Sequence, residues 1–473
     1  MEKVLSNDEM RKADGYTINE LNISSQTLMR RAGLAIAEEV VKCGNGKSIL
    51  VACGTGNNGG DGYVCAQELL RRGFDVKVYA VAGRLSNDCL REKSEYSGQY
   101  SEEIAGDVIV DCLFGTGLCR TVENEYLYII NAINNSGAFV ISADIPSGIN
   151  GDNGVVLGAA VKADVTVAIA EYKRGHFLNE GIDYCGKTVK ADIGITCPES
   201  RYAEIPNNGD IEKFYPKRKR NTHKGSFGTA QLVAGSDRYT GAAALAAEAA
   251  LKSGCGYVKL CTTDKVKAAL AAKLPQVIYS DEIDFSAESV AIGCGCGVSE
   301  KLYGTIKKLL TGYCSTLIID ADGLNTMAKY GCEILHNKNC DVILTPHVKE
   351  FSRISRLSVN EILADPITLS QNFAREYNVT VLLKNAVSVL TDGERAVILH
   401  RGNSSLAKGG SGDILTGFMC GTVARGVDGF NAAAVASYTL GLSAEISSAE
   451  KTEYCVTAKD LIKNLHTSVR KLT

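Results

Sequence analysis

Long apolar runs are absent from the sequence: nowhere do about 18 uncharged apolar residues follow one another, the length that a transmembrane helix needs. The first nine residues also lack the apolar stretch of a secretory signal. We therefore expect a soluble, cytoplasmic protein that does not bind membranes. An excess of one charge is absent too, because 51 basic and 54 acidic residues leave a formal charge of −3. This balance argues against nucleic acid as a partner held by overall electrostatic attraction.

The 17 cysteines include no CxxC pair. Many of them, such as Cys53 and Cys112, lie within apolar runs, which is typical of small buried side chains in a reducing compartment. Only Cys294 and Cys296 lie close together, and the 6 histidines are dispersed. Because a zinc site needs clustered Cys and His ligands, the sequence argues against a structural metal.

What the sequence does contain is typical of globular domains: 45% of its residues are apolar and 22% are charged. Residues 6–43 have helical periodicity, and Ser6 is predicted to cap the first helix. Apolar runs then alternate with helical stretches. Because the runs are continuously apolar, they fit strands that are covered on both faces, as in a Rossmann-like, doubly wound parallel sheet. The predicted strands are 48–53, 76–81, 107–113, 138–143 and 165–170.

The pattern stops near Pro198, and residues 198–221 hold three of the 7 prolines. This segment ends in the basic run 217–220, in which no aromatic residue alternates with the charges. We therefore favour a solvated connection over a nucleic-acid patch. A second α/β series follows, and we predict two domains, over residues 1–203 and 204–473. The predicted strands of the second domain are 229–234, 258–261, 289–293, 316–320, 342–345, 379–384, 388–391 and 396–400, the last two joined by a hairpin turn.

A first glycine-rich loop, Gly54 to Gly62, directly follows a predicted strand and opens a helix, which is where open α/β sheets bind ligands. Its glycines allow the backbone to approach a phosphate, and the helix N-terminus points N–H groups at it. Two later strand ends carry Asp111, and Asp144 with Ser147. Because such ends meet at one edge of a parallel sheet, Asn58, Asp111 and Ser147 could share one cation while Asp144 faces the substrate.

These three segments resemble the NAD(P)H-hydrate epimerase family over about residues 1–200. The resemblance implies K⁺ as cofactor, with Asn58, Asp111 and Ser147 as its ligands, and Asp144 as a catalytic and substrate-binding carboxylate. Lys173 matches a family lysine near the site. The substrate-binding residues that the resemblance implies are Asn57, Asn58, Gly59, Gly60, Asp61, Gly115, Thr116, Gly117, Leu118, Cys119, Arg120, Thr121 and Tyr126.

A second glycine-rich loop, Gly409 to Asp413, aims successive backbone N–H groups at one point beside a carboxylate. Phosphoryl transfer needs both, because the N–H groups stabilise the developing charge and Asp413 can accept the proton of an attacking hydroxyl. No Lys-Ser/Thr pair follows the glycines, so the loop is not a Walker motif.

This loop resembles the ribokinase-like phosphoryl-transfer fold. Residues 221–228 and 234–243 narrow the resemblance to the ADP/ATP-dependent NAD(P)H-hydrate dehydratase family, from about residue 210 to the C-terminus. Residues 320–325 match a further family motif, whereas Cys294, Val348 and Asn385 depart from the family's usual residues. The resemblance implies Asp413 as the catalytic base. The implied substrate contacts are Ala242, Gly295, His347 and Asp413, and the implied nucleotide contacts are Lys384, Asn385, Ala386, Val387, Ser388, Gly410, Ser411 and Gly412.

Together the two resemblances imply an enzyme that repairs hydrated nicotinamide cofactors. Its small-molecule substrates would be NAD(P)HX and ADP or ATP with Mg²⁺, and we expect a homo-oligomer. Two other classes stay open: a small-molecule kinase of the vitamin type, which would release a stable phosphorylated product, and a non-catalytic scaffold built on the first domain.

Overall fold

The computed structural model describes residues 1–198, 201–313 and 315–473. The chain divides into two compact units: the N-terminal unit is formed by residues 2–202, and the C-terminal unit by residues 203–473 together with Met1. Among the described residues, no helix is long and apolar enough to span a membrane.

The N-terminal unit contains a seven-stranded sheet in the order β4-β3-β2-β5-β6-β7-β9, in which all neighbours are parallel. The predicted doubly wound parallel sheet is confirmed. The strands of this unit are β1 (Glu2–Leu5), β2 (Ser48–Cys53), β3 (Asp75–Ala80), β4 (Gln99–Tyr100), β5 (Val108–Cys112), β6 (Phe139–Ala143), β7 (Val165–Ile169), β8 (Tyr172–Lys173) and β9 (Lys187–Ala191). The helices are α1 (Asn7–Asn19), α2 (Ser25–Gly44), α3 (Asn57–Arg71), α4 (Asn87–Glu95), α5 (Asn124–Asn135) and α6 (Gly181–Tyr184).

Alternate residues of the central strands pack on opposite faces of this sheet. Val51 and Val110 join a core with residues of α2 and α3, whereas Leu50 and Ile109 join a core with residues of α5. This explains why the strands are apolar at every position. Ser6 caps α1 as predicted, and the helical pattern of residues 6–43 corresponds to two helices, α1 and α2.

The C-terminal unit contains a sheet in the order β13-β12-β11-β14-β15-β16-β17-β18-β19-β10, in which β18 runs antiparallel to both neighbours and the other pairs are parallel. Its strands are β10 (Ala203–Ile205), β11 (Thr229–Val233), β12 (Tyr257–Cys261), β13 (Ile278–Ser280), β14 (Ser289–Ile292), β15 (Thr316–Ile319), β16 (Asp341–Leu344), β17 (Thr380–Leu383), β18 (Ser388–Thr391) and β19 (Ala396–Leu399). Its helices are α7 (Asn208–Glu212), α8 (Thr240–Lys252), α9 (Asp264–Leu270), α10 (Glu300–Gly312), α11 (Asp322–Tyr330), α12 (Val348–Ser355), α13 (Val359–Ala364), α14 (Pro366–Tyr377), α15 (Ser411–Ala424), α16 (Gly429–Lys451) and α17 (Ala458–Arg470).

Helix α15 lies in the core of this unit and packs against α8, α16 and the sheet. Its residues from Ile414 to Ala424 are all buried, as expected for a helix that is apolar on every side. Because β14 to β17 are parallel neighbours, the loops after them lie at one edge of the sheet. These loops carry residues 293–297, Asp320, His347 and Lys384.

Candidate active sites

The first glycine-rich loop connects β2 to α3 and lies against the end of β5. A Cβ atom on Gly54 would be 2.0 Å from the Leu113 carbonyl oxygen, and one on Gly59 would be 2.0 Å from the Gly54 carbonyl oxygen. Only glycine permits such approaches. The loop therefore places Asn57 and Asn58, the first residues of α3, beside the loop that follows β5.

The predicted cation ligands lie on neighbouring elements: Asn58 in the first turn of α3, Asp111 near the end of β5, and Ser147 in the loop after β6. Asp111 is buried, and its Oδ1 accepts a hydrogen bond from the Ser147 hydroxyl at 2.6 Å, while its Oδ2 accepts from the Ser142 hydroxyl at 2.8 Å and the Ser147 amide at 2.9 Å. Burial raises the pKa of Asp111, and these bonds oppose the rise. Asn58 Oδ1 is also buried, but it has no hydrogen-bond partner in the part of the chain that the structure describes. A buried oxygen without a partner is a candidate ligand for a hard cation.

Asp144 follows β6 with a left-handed φ of +67°, a conformation that costs energy in a residue other than glycine. Its Oδ1 forms an ion pair with Lys173 Nζ, and its Oδ2 accepts a hydrogen bond from the Thr116 amide at 3.2 Å. Burial favours protonation of Asp144, but the Lys173 charge and hydrogen bond outweigh it and lower the pKa of this carboxyl. Asp144 is therefore ionised at neutral pH.

The imidazole of His176 hydrogen-bonds to the main chain of Asp144. The Lys173 amide donates to His176 Nδ1 at 3.1 Å, so Nε2 carries the proton and donates to the Asp144 carbonyl oxygen at 2.8 Å. Burial, and then the Lys173 charge, lower the pKa of His176 to about 4. The imidazole is thus neutral and fixes the strained backbone of Asp144.

A cavity of about 670 Å³ lies over Asp144 and is bounded by these loops and by α1 and α2. Its lining includes the predicted residues Asn57, Asn58, Asp61, Gly115, Thr116, Gly117, Leu118, Cys119, Arg120 and Asp144, together with Lys173. Other predicted residues contact neighbouring groups instead: Gly59 and Gly60 pack behind the loop, Thr121 lies against Gly158, and Tyr126 packs against Phe114 with tilted rings whose centroids are 4.3 Å apart.

The sequence did not single out Asp14, although it lines the same cavity from α1. Burial, followed by the charge of Asp144, raises the pKa of Asp14 to about 6, and Lys173 opposes the rise. Asp61 has its pKa raised well above the usual range, first by burial and then by Asp144 and Asp14. The cavity is therefore lined by four carboxyl groups, those of Asp14, Asp61, Asp88 and Asp144, together with Lys173 and Arg120.

The second glycine-rich loop enters α15 at Gly410, which has a left-handed φ of +102°. A residue with a side chain would be strained at this φ, and its Cβ atom would lie 2.6 Å from Leu245 Cδ1. Among the described residues, no side chain caps the first turn of α15. The N–H groups at Gly412 and Asp413 are therefore available to an anion, whereas the Ser411 amide, one of the predicted nucleotide contacts, donates to the Lys408 carbonyl oxygen at 3.4 Å.

Beside this loop lies a buried ion pair. Lys384 Nζ contacts Asp320 Oδ1 at 2.8 Å, and the Thr416 hydroxyl donates to Asp320 Oδ2 at 2.7 Å. A Cβ atom on Gly412 would be 3.6 Å from Lys384 Nζ and 3.7 Å from Asp320 Oδ2. The sequence identified Asp320 only as part of a motif, and its pairing with Lys384 is a finding of the structure.

Asp413 lies in the first turn of α15, close to this pair. Burial, and then the negative charge of Asp320, raise the pKa of Asp413 to about 6, while Cys294 and Lys384 oppose the rise. A carboxyl group with a pKa in this range can accept a proton from a hydroxyl and release it near neutral pH. The predicted base therefore has a local environment suited to the task.

The remaining predicted contacts of this site lie on three loops. A Cβ atom on Gly295 would be 2.9 Å from Ala242 Cβ, so these two residues are adjacent. His347 is half exposed and caps α12, since its Nδ1 accepts from the Lys349 amide at 3.1 Å and the Glu350 amide at 3.2 Å. Residues 385–388 form the connection from β17 into β18.

Within residues 1–198, 201–313 and 315–473, no group of three or more His, Cys, Asp or Glu side chains is placed to hold a metal ion. None of the 16 cysteines that the structure describes forms a disulfide. A cation at either site would therefore need other oxygen ligands, such as the Asn58 amide or the phosphates of a substrate.

Two protein families match the chain. The family described as YjeF-related protein N-terminus matches residues 25–175, and the family described as NAD(P)H-hydrate dehydratase matches residues 230–467. The two matches fall in the N-terminal and C-terminal units, respectively.

Several relatives match nearly the whole chain. The protein named bifunctional NAD(P)H-hydrate repair enzyme Nnr of Thermofilum pendens is 33% identical over 99% of this chain and 97% of its own length, and that of Coxiella burnetii is 32% identical over 99% and 100%. Among solved structures, the ADP/ATP-dependent NAD(P)H-hydrate dehydratase of Bacillus subtilis, co-crystallised with ATP/Mg²⁺, is 29% identical, covers 57% of this chain and 99% of its own, and has a TM-score of 0.54. The chain belongs to the family of bifunctional NAD(P)H-hydrate repair enzymes.

Proposed function

We propose that this protein restores hydrated NADH and NADPH, with an epimerase in residues 1–203 and a nucleotide-dependent dehydratase in residues 204–473. The observation that carries the proposal is the position of Asp413, beside the uncapped N-terminus of α15 and the Asp320–Lys384 pair. We infer the substrate, hydrated NADH or NADPH, from the family whose members match nearly the whole chain.

The reaction needs a better leaving group than hydroxide. In the hydrate, water has added across a ring double bond, which leaves a hydroxyl group on C6. When the nucleotide's terminal phosphoryl group is transferred to this oxygen, the C6 substituent becomes a phosphate. The lone pair of the ring nitrogen then expels phosphate as the C6–O bond breaks, and loss of a proton from C5 restores the dihydropyridine. A kinase-like site can thus act as a dehydratase.

The groups around α15 fit this sequence of steps. Asp413 accepts the proton of the C6 hydroxyl as the oxygen attacks phosphorus, and the amides at Gly412 and Asp413 stabilise the charge on the phosphoryl oxygens. Lys384 adds a positive charge beside Gly412, and Asp320 holds that ammonium in place. The relative from Bacillus subtilis was co-crystallised with ATP/Mg²⁺. We expect Mg²⁺ to enter on the nucleotide's phosphates and to offset their charge.

The N-terminal unit would interconvert the R and S hydrates at C6, so that a dehydratase specific for the S form can clear both. Asp144 lines the cavity, ionised and held by Lys173 and Thr116. It can orient and deprotonate the water that adds to C6. The amides of Asn57 and Asn58 begin α3 in the same cavity and suit the substrate's phosphates.

A monovalent cation fits beside this cavity. Asn58 Oδ1 is buried without a partner in the described structure, and Asp111 and Ser147 lie on the adjoining strand ends. K⁺ bound there would offset the substrate's phosphate charge and fix the loop. Because Asp111 already accepts bonds from Ser142 and Ser147, its replacement would disturb the fold as well as the cation.

Asn58→Ala is therefore the sharper test of the cation. We expect it to abolish any stimulation of epimerisation by K⁺ and to raise the KM for the hydrate, because one cation ligand is lost while dehydration keeps its rate. The measurement is epimerase kinetics in K⁺ and in choline salts. If K⁺ stimulated epimerisation by the variant as strongly as it stimulates the unaltered chain, Asn58 would not be a ligand of the cation.

Two single variants test whether epimerisation and dehydration belong to different units of the chain. We expect Asp144→Asn, which keeps the side-chain shape and tolerates the left-handed backbone, to convert a mixed hydrate sample with ATP or ADP only until the S form is used up. Addition of the Asp413→Asn chain, which keeps its epimerase, should complete the conversion. NADH recovery is followed by the absorbance of the dihydronicotinamide ring.

The same assay distinguishes the other classes that the sequence leaves open. A vitamin-type kinase would yield a stable phosphoester and no NADH. A scaffold-like N-terminal unit would make the unaltered chain stall at the same point as Asp144→Asn.

A further inference from the structure

One face of α1 forms part of the wall of the N-terminal cavity. Met10, Asp14 and Ile18 all line the cavity, and their spacing of four residues places them on the same face of the helix. Asp14 is thus a carboxyl group between two apolar side chains. It makes no hydrogen bond or ion pair to the residues that the structure describes.

A polar side chain kept without a partner in an apolar cavity wall costs folding energy. Neutral residues of similar size would stabilise this position better, so the carboxyl group itself has a use there. The other acids of the cavity already have distinct states. Asp144 is ionised through Lys173, and Asp61 holds its proton tightly.

Epimerisation at C6 needs both an acid and a base. The C6–O bond breaks only if the departing hydroxyl takes up a proton and leaves as water, while the ring nitrogen's lone pair forms a double bond to C6. Water then adds to the other face of C6 and loses a proton to a base. Acid and base must therefore face the ring from different walls of the cavity.

We propose that Asp14 is the proton donor of the epimerisation, acting on the departing C6 hydroxyl from α1 while Asp144 accepts the proton of the incoming water from the end of β6. The inference rests on the proposed epimerase function of the N-terminal unit. One turnover moves one proton from Asp14 to Asp144. The reverse reaction returns it with the roles exchanged, or solvent resets both groups.

The states of the three acids agree with these roles. The pKa of Asp14 is raised to about 6, so this group gives up and regains a proton near neutral pH, unlike Asp144 or Asp61. When neighbouring acids have separated pKa values, the separation indicates which is the acid and which the base. The charged and titratable groups that interact with Asp14 are Asp61 of α3, Asp144, Lys173 of β8 and Cys197, and the cavity is also lined by Asp88 of α4, Cys119 and Arg120.

Asp14→Asn tests the proposal in the full-length chain. We expect kcat for epimerisation to fall by about 10²–10⁴-fold with KM within threefold, because an acid is lost but the shape remains. The unaltered chain should lose epimerase rate as pH rises through about 6, and the variant should not. Asp14→Glu should recover part of the rate. Asp8→Asn, an exposed change on the same helix, is the matched control.

A second readout does not depend on activity. Because folding raises the pKa of Asp14, ionisation of this group disfavours the folded state above about pH 4. Asp14→Asn should therefore raise the apparent Tm at pH 7 and leave it nearly unchanged at pH 4. Hydrogen-exchange protection of peptides from β2 and β5, measured on the same sample, shows that the N-terminal unit is folded.

Three results would overturn the proposal. One is an epimerase rate for Asp14→Asn within threefold of the unaltered chain. Another is a higher KM with an unchanged kcat and pH profile, which would make Asp14 a binding residue. If the unaltered chain dehydrates the S hydrate but does not epimerise at all, the proposed function of the N-terminal unit is wrong, and the role of Asp14 fails with it.

Discussion

Replacement of Asp413 by Asn is expected to lower the rate of nucleotide-dependent NADH recovery by about 10²–10⁴-fold, the usual effect of removing a general base. Asn keeps the shape of the side chain, and the amides at the start of α15 stay in place, so substrate and nucleotide should still bind. The loss should therefore fall on kcat more than on KM. Single-turnover NADH formation from the pure S hydrate measures it directly.

The pH dependence of the same reaction gives an independent check. Asp413 must be ionised to accept a proton, and burial and the charge of Asp320 raise its pKa to about 6. Dehydration should therefore slow as pH falls through about 6, by close to tenfold for each further pH unit. Asp413→Asn should lack this acidic limb.

Two controls accompany this experiment. Asp264→Asn replaces an exposed aspartate of the same unit and should leave the kinetics unchanged. Epimerisation, measured in the Asp413→Asn chain itself, should continue at its usual rate. Near-normal NADH recovery by Asp413→Asn would show that another group is the base.

The strands and the two glycine-rich loops were predictable because their signals are local. Continuous apolar runs predict buried parallel strands, and the succession of Gly410, Ser411, Gly412 and Asp413 predicts an anion-binding helix start with an acid in its first turn. The structure contains the parallel strands, and α15 begins at Ser411 with Asp413 in its first turn, while anion binding there stays a prediction. Short strands were missed, such as Gln99–Tyr100 at a sheet edge, because two residues carry no periodic signal.

The features of the two sites that could not be predicted from the sequence depend on contacts between residues that are distant in the chain. Asp14 lies near Arg11 and Lys12, so its surroundings in the sequence suggest a solvated helix. Only packing against the cavity turns this carboxyl group towards Asp144. The partner of Asp320, Lys384, lies 64 residues away on another strand end. No motif spacing predicts that pairing, although both of its charges act on the pKa of Asp413 after burial.

The Asp320–Lys384 pair should also have a large effect on stability. Asp320→Asn removes the negative charge from a buried site while the Lys384 ammonium remains, and Thr416 loses a charged acceptor. Loss of one partner of a buried ion pair costs about 3–5 kcal/mol, because the other charge is left uncompensated. We expect a destabilisation of this size, confined to the C-terminal unit.

Hydrogen exchange resolves the two units within one chain. In Asp320→Asn, protection should fall in peptides from β15 and α15, while peptides from β2 and β5 of the N-terminal unit keep theirs.

The double variant Asp320→Asn/Lys384→Met removes the uncompensated Lys384 charge as well, so it should recover part of the lost stability without recovering dehydration. The exposed Asp264–Lys267 pair is the matched control, and Asp264→Asn should change protection little. If Asp320→Asn and Asp264→Asn proved equally stable, the buried pair would not contribute to folding, and Asp320 would matter only for the position of Lys384 beside Gly412.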